Sequence, residues 1–122
     1  RAMKCARDGD ELASRLEAAL APEAMLDALF ALDGGRLRPY PKYLTWELSH
    51  RPPAGLRWTA TELTALVEAA LGPAPCPALR TLLGGLEPWA RAEGHGCVLD
   101  AWGEALEWML TPPAQDLPRG HG

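Results

Sequence analysis

The stretch PEAMLDALFALDGGRLRPYPKYLTWEL, residues 22–48, decides the fold that we predict. Its first part, which ends at Leu32, is strongly apolar at helical spacing, and this pattern predicts the central, most buried helix. The sequence Asp33-Gly34-Gly35 ends that helix. A basic loop follows, defined as residues 34–42, and then one or two further helical turns. The segments before and after the basic loop are both predicted to be helical, and neither alternates apolar and polar residues as a strand would.

Helical periodicity extends on both sides of this stretch. The predicted helices are, in chain order, Asp10 to about Leu20; a helix with Pro22 in its first turn; Lys42 to Ser49; Thr59 or Thr61 to Gly72-Pro73; Pro77 to Leu86, bent or split by Gly84-Gly85 and Pro88 before Trp89 to Glu93; and Val98 to Leu110. Asp10 can cap a helix N-terminus, and Thr59-Ala60-Thr61-Glu62 has the form of a capping box. We therefore predict an all-α fold, a compact bundle of five to seven helices, in a single domain at 1–110 with a disordered tail at 111–122.

Apolar residues three and four positions apart predict the buried face of each helix. The predicted inward sets are Leu12, Leu16, Ala19 and Leu20; Met25, Leu26, Leu29, Phe30 and Leu32; Leu63, Leu66, Val67, Ala70 and Leu71; Leu79, Leu82, Leu83 and Leu86; and Val98, Leu99, Trp102, Ala105, Leu106 and Met109. Trp102 and Trp108 are too far out of phase for both to point inward comfortably. We expect one of these two side chains to face a partner surface or a further domain.

Composition limits the classes of protein that this chain can represent. Its 122 residues, 48% hydrophobic and 23% charged, are typical of a soluble globular domain. Its apolar runs are shorter than the roughly 18 to 20 residues of a membrane span. Three cysteines without a C-x-x-C pair favour a reducing, cytoplasmic location over a disulfide framework or a zinc site. A net charge of −4 argues against generic binding to duplex nucleic acid.

Positive charge is concentrated between Arg36 and Trp58. This segment contains five Lys or Arg residues and one acid, Glu47, for a net charge of +4 in a chain whose net charge is −4. Pro39 and Pro41 restrict the backbone of the basic loop, so its charges are held in place. An anionic ligand would explain this arrangement. A solvated turn with arginine side chains lying over apolar neighbours would explain it too, and charge alone favours this second interpretation.

The common catalytic motifs are absent from the sequence. There is no P-loop, no G-x-S-x-G and no H-E-x-x-H, and we predict no metal held by this chain. Asp8 and Asp10 form a D-x-D pair, but they lie in a helix-breaking turn, which favours a structural role. Arg91 and His95 resemble the Arg and His pair of HEPN-like helical ribonucleases. Because Gly94 breaks the helix between them, a structural turn is favoured there as well.

Three stretches together carry a family resemblance: residues 6–13 (ARDGDELA), 29–48 (LFALDGGRLRPYPKYLTWEL) and 91–103 (RAEGHGCVLDAWG). In this order they resemble the C-terminal helical domain of bacterial nucleotidyltransferase-fold proteins, the group that includes aminoglycoside and lincosamide nucleotidyltransferases. Those proteins place a metal-binding Asp pair on an N-terminal α/β domain with a Gly-Ser…Asp-x-Asp signature. The present chain lacks that signature and starts without an initiator Met in helical-looking sequence. We therefore expect a fragment whose catalytic domain is missing.

The resemblance also implies a phosphate contact. In the aminoglycoside adenylyltransferases, a helix is followed by Gly, a basic residue, Pro and Lys, and that lysine contacts the triphosphate. Gly35-Arg36 and Pro41-Lys42 look like the counterpart, with an extra Pro-Tyr in the spacing. Lys42 is one of only two lysines in the chain, the other being Lys4. A compact ammonium at a junction between loop and helix is well suited to a phosphate group.

The function that follows from the resemblance is transfer of a nucleoside monophosphate from an NTP to a hydroxyl of a small-molecule acceptor, as antibiotic-resistance enzymes do. The predicted nucleotide-binding residues are Lys42, Arg36, Arg38 and Tyr40, and the predicted acceptor-binding residues are Glu47 and Trp46. ATP with Mg²⁺ is the implied cofactor, with the metal held by the missing N-terminal nucleotidyltransferase domain, in cis or in trans. The chain alone is expected to be inactive.

Two other functions stay open at this point. The first is a non-catalytic helical interaction module that partners a separate nucleotidyltransferase domain or self-associates as a homodimer. An exposed tryptophan would be compatible with either kind of interface. The second, and less favoured, is a helical ribonuclease that uses Arg91 and His95. An upstream Gly-Ser…Asp-x-Asp in the parent reading frame would favour the nucleotidyltransferase.

Overall fold

A computed structural model describes residues 1–112, of which 70% are helical and none forms a strand. The α-helices are α1 (Ala2–Arg7), α2 (Glu11–Leu32), α3 (Leu44–His50), α4 (Ala60–Ala70), α5 (Cys76–Ala92), α6 (Gly96–Asp100) and α7 (Glu104–Leu110), and a 3₁₀ turn, Pro41–Tyr43, precedes α3. The predicted all-α helical bundle is therefore confirmed. From residue 113 onward, the predicted disordered tail lies outside the described residues. Of the helices described, none combines the length and apolar character that crossing a bilayer requires.

The core forms where α2 packs against α1, α4 and α5. Its buried apolar residues are Ala2, Ala18, Leu26, Leu29, Phe30, Leu48, Leu63, Ala70, Ala78, Leu79, Leu82 and Leu86. The largest fully buried side chains are those of Phe30, Leu29 and Leu63. The inward faces predicted for the second half of α2, for α4 and for α5 supply most of this set, so the central part of the core prediction is confirmed. Leu71 is the exception: it follows the last residue of α4 and is 56% exposed, so its predicted inward orientation was wrong.

Both helix starts with capping signals are confirmed. The Asp10 carboxylate accepts a hydrogen bond of 3.0 Å from the backbone N–H of Ala13 at the start of α2. The Thr59 hydroxyl accepts one of 3.1 Å from the backbone N–H of Glu62 at the start of α4. Each cap satisfies a backbone donor that has no partner within its own helix.

Helix α2 is continuous over 22 residues, whereas the sequence predicted two helices meeting at Pro22. Proline removes one backbone hydrogen bond and crowds the preceding turn, so a break is the usual outcome. Here Pro22 is buried, and α2 packs against three other helices. Burial along the length of the helix outweighs the local loss at one residue.

Helix α5 is continuous as well, although Gly84-Gly85 and Pro88 were predicted to bend or split it. Gly85 lies directly under the ring of Trp58, and a Cβ added at Gly85 would overlap that ring. The glycine therefore serves the packing of a large side chain onto the helix and does not mark its end.

The predicted last helix, from Val98 to Leu110, is divided into α6 and α7. Gly103 separates them with a φ of +57°, a backbone conformation that residues with a Cβ rarely adopt. Leu99 and Leu106 are buried as predicted. The prediction of a single helix was wrong because glycine alone does not reveal whether its backbone will be helical.

The tryptophans near the C-terminal end of the described region differ in burial. Trp108 is half-buried, with the Arg7 guanidinium 5.1 Å from its ring centroid. Trp102 is 46% exposed, and Val98 is exposed as well, so the inward orientation predicted for these two residues was wrong. Trp102 is the outward-facing member of the pair.

The leucine row, defined as Leu12, Leu16 and Leu20, contradicts the inward face predicted for the first half of α2. These side chains are 71%, 62% and 68% exposed. Ser14 and Ala18 are buried instead, and the Ser14 hydroxyl donates a 2.8 Å hydrogen bond to the backbone carbonyl of a residue in α1. Small side chains allow α1 to lie close to α2, and this arrangement turns the leucine row toward solvent.

Candidate functional site

The basic loop joins α2 to α3 through a backbone that glycine and proline are suited to form. Gly34 and Gly35 have φ values of +69° and +80°, in the left-handed region that favours glycine. The N–H of Gly35 donates a 2.8 Å hydrogen bond to the carbonyl of Ala31, which closes α2. Pro41 then begins the 3₁₀ turn that runs directly into α3. The two ends of the loop are therefore fixed by backbone geometry.

Arg36 fastens this loop to its surroundings. Its guanidinium donates to the carboxylates of Asp33 at 2.9 Å and Glu47 at 3.1 Å, and to the backbone carbonyl of Arg51 at 2.9 Å. The same group lies 5.0 Å from the centroid of the buried Phe30 ring. Arg36 thus connects the end of α2 with both ends of α3, and two carboxylates offset its charge.

Asp33 is the second fixed point of the loop. Besides the ion pair with Arg36, its carboxylate accepts a 3.2 Å hydrogen bond from the backbone N–H of Ala54. The hydrogen bond from Arg36 and then that from Ala54 lower the pKa of the Asp33 carboxyl below its ordinary value. Asp33 therefore stays ionised and holds the loop against the segment that follows α3.

Arg38 turns back toward α2 instead of joining Arg36. Its guanidinium lies 2.7 Å from the Asp27 carboxylate, and this hydrogen bond raises the pKa of Arg38. Both predicted supporting arginines are therefore engaged with carboxylates of the chain itself. In this arrangement they position the loop, and their charges are no longer available in full to a ligand.

Lys42 is exposed in the 3₁₀ turn that precedes α3, and its ammonium lies 5.7 Å from the ring centroid of Tyr43. Within residues 1–112, no carboxylate lies at ion-pair distance from it. Lys42 thus differs from Arg36 and Arg38, because its positive charge remains directed to solvent. A phosphate could reach it without displacing an internal partner.

The aromatic platform, defined as Tyr43, Trp46 and His50, lies on the outward side of α3 and the turn before it. Trp46 is 54% exposed and stacks on His50 with ring centroids 4.4 Å apart and planes 13° from parallel. His50 Nδ1 is also 2.9 Å from the Trp46 carbonyl oxygen. Tyr40, just before this platform, is 80% exposed. This surface therefore combines exposed aromatic rings with the Lys42 ammonium.

Glu47, a predicted acceptor contact, does not face the same way as Trp46. Its carboxylate is half-buried and bound by Arg36. The structure thus brings Arg36 and Glu47 together, sends Arg38 to α2, and leaves Lys42, Tyr40 and Trp46 facing solvent.

No known protein family, curated protein or solved structure matches this chain. The resemblance to nucleotidyltransferase helical domains therefore rests on the residues alone, and the roles assigned through it stay predictions.

The residues named for the ribonuclease alternative are held by other contacts. Arg91 donates to the carboxylates of Glu87 at 2.7 Å and Asp100 at 2.9 Å, which ties α5 to α6 and raises the pKa of Arg91. His95 is exposed at the residue before α6. The Arg91 side chain thus links α5 to α6 through two carboxylates, and His95 is not one of its partners.

Sequence reasoning missed the partners that organise the site. Asp33 and Asp27 precede the segment whose charges were counted, and they neutralise its first two arginines. Asp33 lies three residues before Arg36, which is a readable signal for an ion pair. Trp46 and His50 are four residues apart on one helix, a spacing that brings side chains together. The pairing of Arg36 with Glu47 spans a loop and has no local signal.

Proposed function

We propose that this chain is the helical, nucleotide-contacting domain of a nucleotidyltransferase, with Lys42 as its contact to the NTP phosphates. The observation that supports this most directly is the exposed, unpaired ammonium of Lys42 at a corner fixed by Arg36. A fixed cation can bind a phosphate oxygen without the entropy loss of ordering a loop. The resemblance described above supplies the reaction, and the geometry supports a phosphate contact.

The residues of this chain would bind and position the NTP and would not carry out bond making. Lys42 would neutralise part of the phosphate charge, while Arg36 and Arg38 would hold the loop that carries it. Residues 1–112 contain no group of three or more His, Cys, Asp or Glu side chains suited to a metal. As the resemblance implies, Mg²⁺ would be held by the catalytic domain, where it would neutralise part of the phosphate charge. Positioning and charge neutralisation are the main sources of catalysis in phosphoryl-type transfers.

Replacing Lys42 with alanine should weaken NTP binding in the protein that carries both domains. Loss of one charge-assisted contact to phosphate is expected to raise the Kd for ATP with Mg²⁺ about tenfold. Isothermal titration calorimetry would measure this change. Lys4→Ala is the matched control, because Lys4, in α1, is the only other lysine of the chain. The Kd of this variant for ATP should stay unchanged. Equal effects of the two substitutions, or none from either, would contradict the role of Lys42.

The parent reading frame tests the same proposal independently. A nucleotidyltransferase requires a Gly-Ser…Asp-x-Asp segment, either upstream of Arg1 in the same protein or in a separate chain that forms a complex with this one. If no such domain accompanies the chain, the proposed reaction has no metal site and must be abandoned.

A second candidate function is self-association through the leucine row, as an interaction module. An open groove of about 510 Å³ runs beside this row, lined by residues that include Leu12, Leu16 and Leu71. Full burial of a leucine side chain contributes roughly 1.5–3 kcal/mol, so covering three or four would be substantial. An exposed apolar surface of this kind is a common mark of a protein interface.

Leu16→Glu should separate such a dimer into monomers, because it places a charge at the centre of the leucine row. Sedimentation equilibrium would detect an increase of at least about tenfold in the dimer dissociation constant. Leu37→Glu is the matched control, since Leu37 is exposed on the basic loop away from the row. A wild-type chain that remains monomeric at its highest soluble concentration would exclude self-association.

A further inference from the structure

We infer that the aromatic platform binds the base of a nucleotide by stacking on Trp46. This inference rests on the proposed function and extends it, because it names the part of the ligand that α3 contacts. It assigns Trp46 to the base of the nucleotide, whereas the resemblance implied that Trp46 contacts the acceptor. Tyr43, Trp46 and His50 recur at intervals of three and four residues, so they lie along one side of α3. One turn earlier, Lys42 carries the free ammonium.

The stacked pair is organised before any ligand arrives. His50 covers one face of the Trp46 indole, and its Nδ1 is held at 2.9 Å from the Trp46 carbonyl oxygen. More than half of Trp46 nevertheless remains exposed. The opposite indole face can therefore accept another flat ring and form a three-layer stack. Aromatic rings favour parallel, offset contacts of this kind.

Charge distinguishes a nucleotide from an apolar peptide as the occupant. From Arg36 to Trp58 the only acid is Glu47, and Arg36 neutralises it. The outward side of α3 therefore combines aromatic rings with an unpaired cation and lacks an unpaired carboxylate of its own. An anion attached to a flat heterocycle complements both properties, and stacking platforms beside positive charge are how proteins bind bases without reading their sequence.

The spacing suits one ligand molecule. Lys42 and Trp46 are four residues apart across the 3₁₀ turn and the first turn of α3, a rise of about 6–8 Å along the axis. The base and the phosphates of a single nucleotide can cover this interval. Trp46 would thus hold the base while Lys42 holds a phosphate, which makes the two contacts separable by experiment.

Nuclear magnetic resonance of the 122-residue chain can separate them. Each of the five tryptophans has one indole N–H, and Trp46→Phe identifies the signal of Trp46. The probes are adenosine, which has a base and no phosphate, inorganic tripolyphosphate, which has phosphates and no base, and ATP. We expect adenosine to shift the Trp46 signal and to leave that of the exposed Trp102 unchanged.

Variants then measure the contribution of stacking. Trp46→Ala is expected to raise the Kd for adenosine by between about 5-fold and 150-fold, the range that one stacked base contributes. His50→Ala, which removes the supporting ring, should raise it less, and Trp102→Ala should leave it unchanged. Trp46 and Trp102 are both substantially exposed, so both variants should remain folded, which circular dichroism verifies.

The outcomes separate this inference from the proposed function. If adenosine leaves the Trp46 signal unmoved, or moves the signals of Trp46 and Trp102 equally, the stacking site is overturned. If Trp46→Ala weakens adenosine binding while Lys42→Ala leaves tripolyphosphate binding unchanged, the stacking site stands and the phosphate role of Lys42 fails. If each variant weakens only its own probe and both weaken ATP, the two contacts belong to one nucleotide site.

Discussion

Phe30→Ala is expected to lower the free energy of unfolding by about 3–5 kcal/mol, the usual cost of removing a fully buried aromatic ring. Phe30 is 0% exposed near the end of α2, where it contacts the core on one side and the Arg36 guanidinium on the other. Since a domain of this size has a total stability of roughly 5–15 kcal/mol, this one change would remove a large part of it. Urea unfolding followed by circular dichroism would measure the difference.

Leu12→Ala is the matched control for Phe30→Ala, because Leu12 lies on the same helix and loses an apolar side chain as well. Leu12 is largely exposed, so its removal should change stability by no more than about 0.5 kcal/mol. Comparable losses from both substitutions would mean that the first half of α2 is packed on its leucine side after all. A small loss from Phe30→Ala would contradict the core itself.

The helical character of most segments could be predicted from the sequence, whereas the side of α2 that is buried could be predicted only for the second half of that helix. Spacing located the helical segments from α2 onward, although it delimited neither α1 nor the break between α6 and α7. The capping residues Asp10 and Thr59 marked two helix starts. A rule that turns the largest apolar residues inward fails in the first half of α2, because α1 packs closely onto Ser14 and Ala18. Close approach requires small side chains, and this requirement comes from a second helix.

Proline and glycine gave wrong predictions of helix ends, both where a break was predicted and where none was predicted. Pro22 and Pro88 lie inside continuous helices, while Gly103 separates two helices that the pattern joined. The local preference of these residues is worth a few kcal/mol at most. Packing of the whole helix against its neighbours is worth more and decides the outcome, and it is not visible in a short window of sequence.

The candidate site shows a similar limit. A charge count that starts at Arg36 describes an island of free cations, yet Asp33 and Asp27 on the preceding helix neutralise two of them. Lys42 was singled out through the family resemblance; among the described residues it has no carboxylate at ion-pair distance, and its role stays a prediction. The sequence could not show that Arg36 and Glu47 would meet, because that contact depends on how the basic loop folds between them.

Gly85→Ala is expected to destabilise the fold by about 1–3 kcal/mol, although alanine is the better helix former. A Cβ at Gly85 would overlap the six-membered ring of Trp58, which packs against the core. That ring must move away, and the apolar contacts it makes with α5 would be lost. Thermal unfolding would show a lower Tm, accompanied by a change in tryptophan fluorescence.

Gly84→Ala provides the matched control one residue away in the same helix. At Gly84 the nearest atom to an added Cβ is Leu110 Cδ2 at 4.0 Å, an ordinary contact distance. The substitution should therefore stabilise α5 by about 0.5–1 kcal/mol, the normal advantage of alanine over glycine in a helix. In a Trp58→Leu background, where the obstructing ring is absent, Gly85→Ala should lose most of its penalty. If Gly85→Ala instead stabilises the wild-type chain as Gly84→Ala does, then the Trp58 ring does not pack against Gly85.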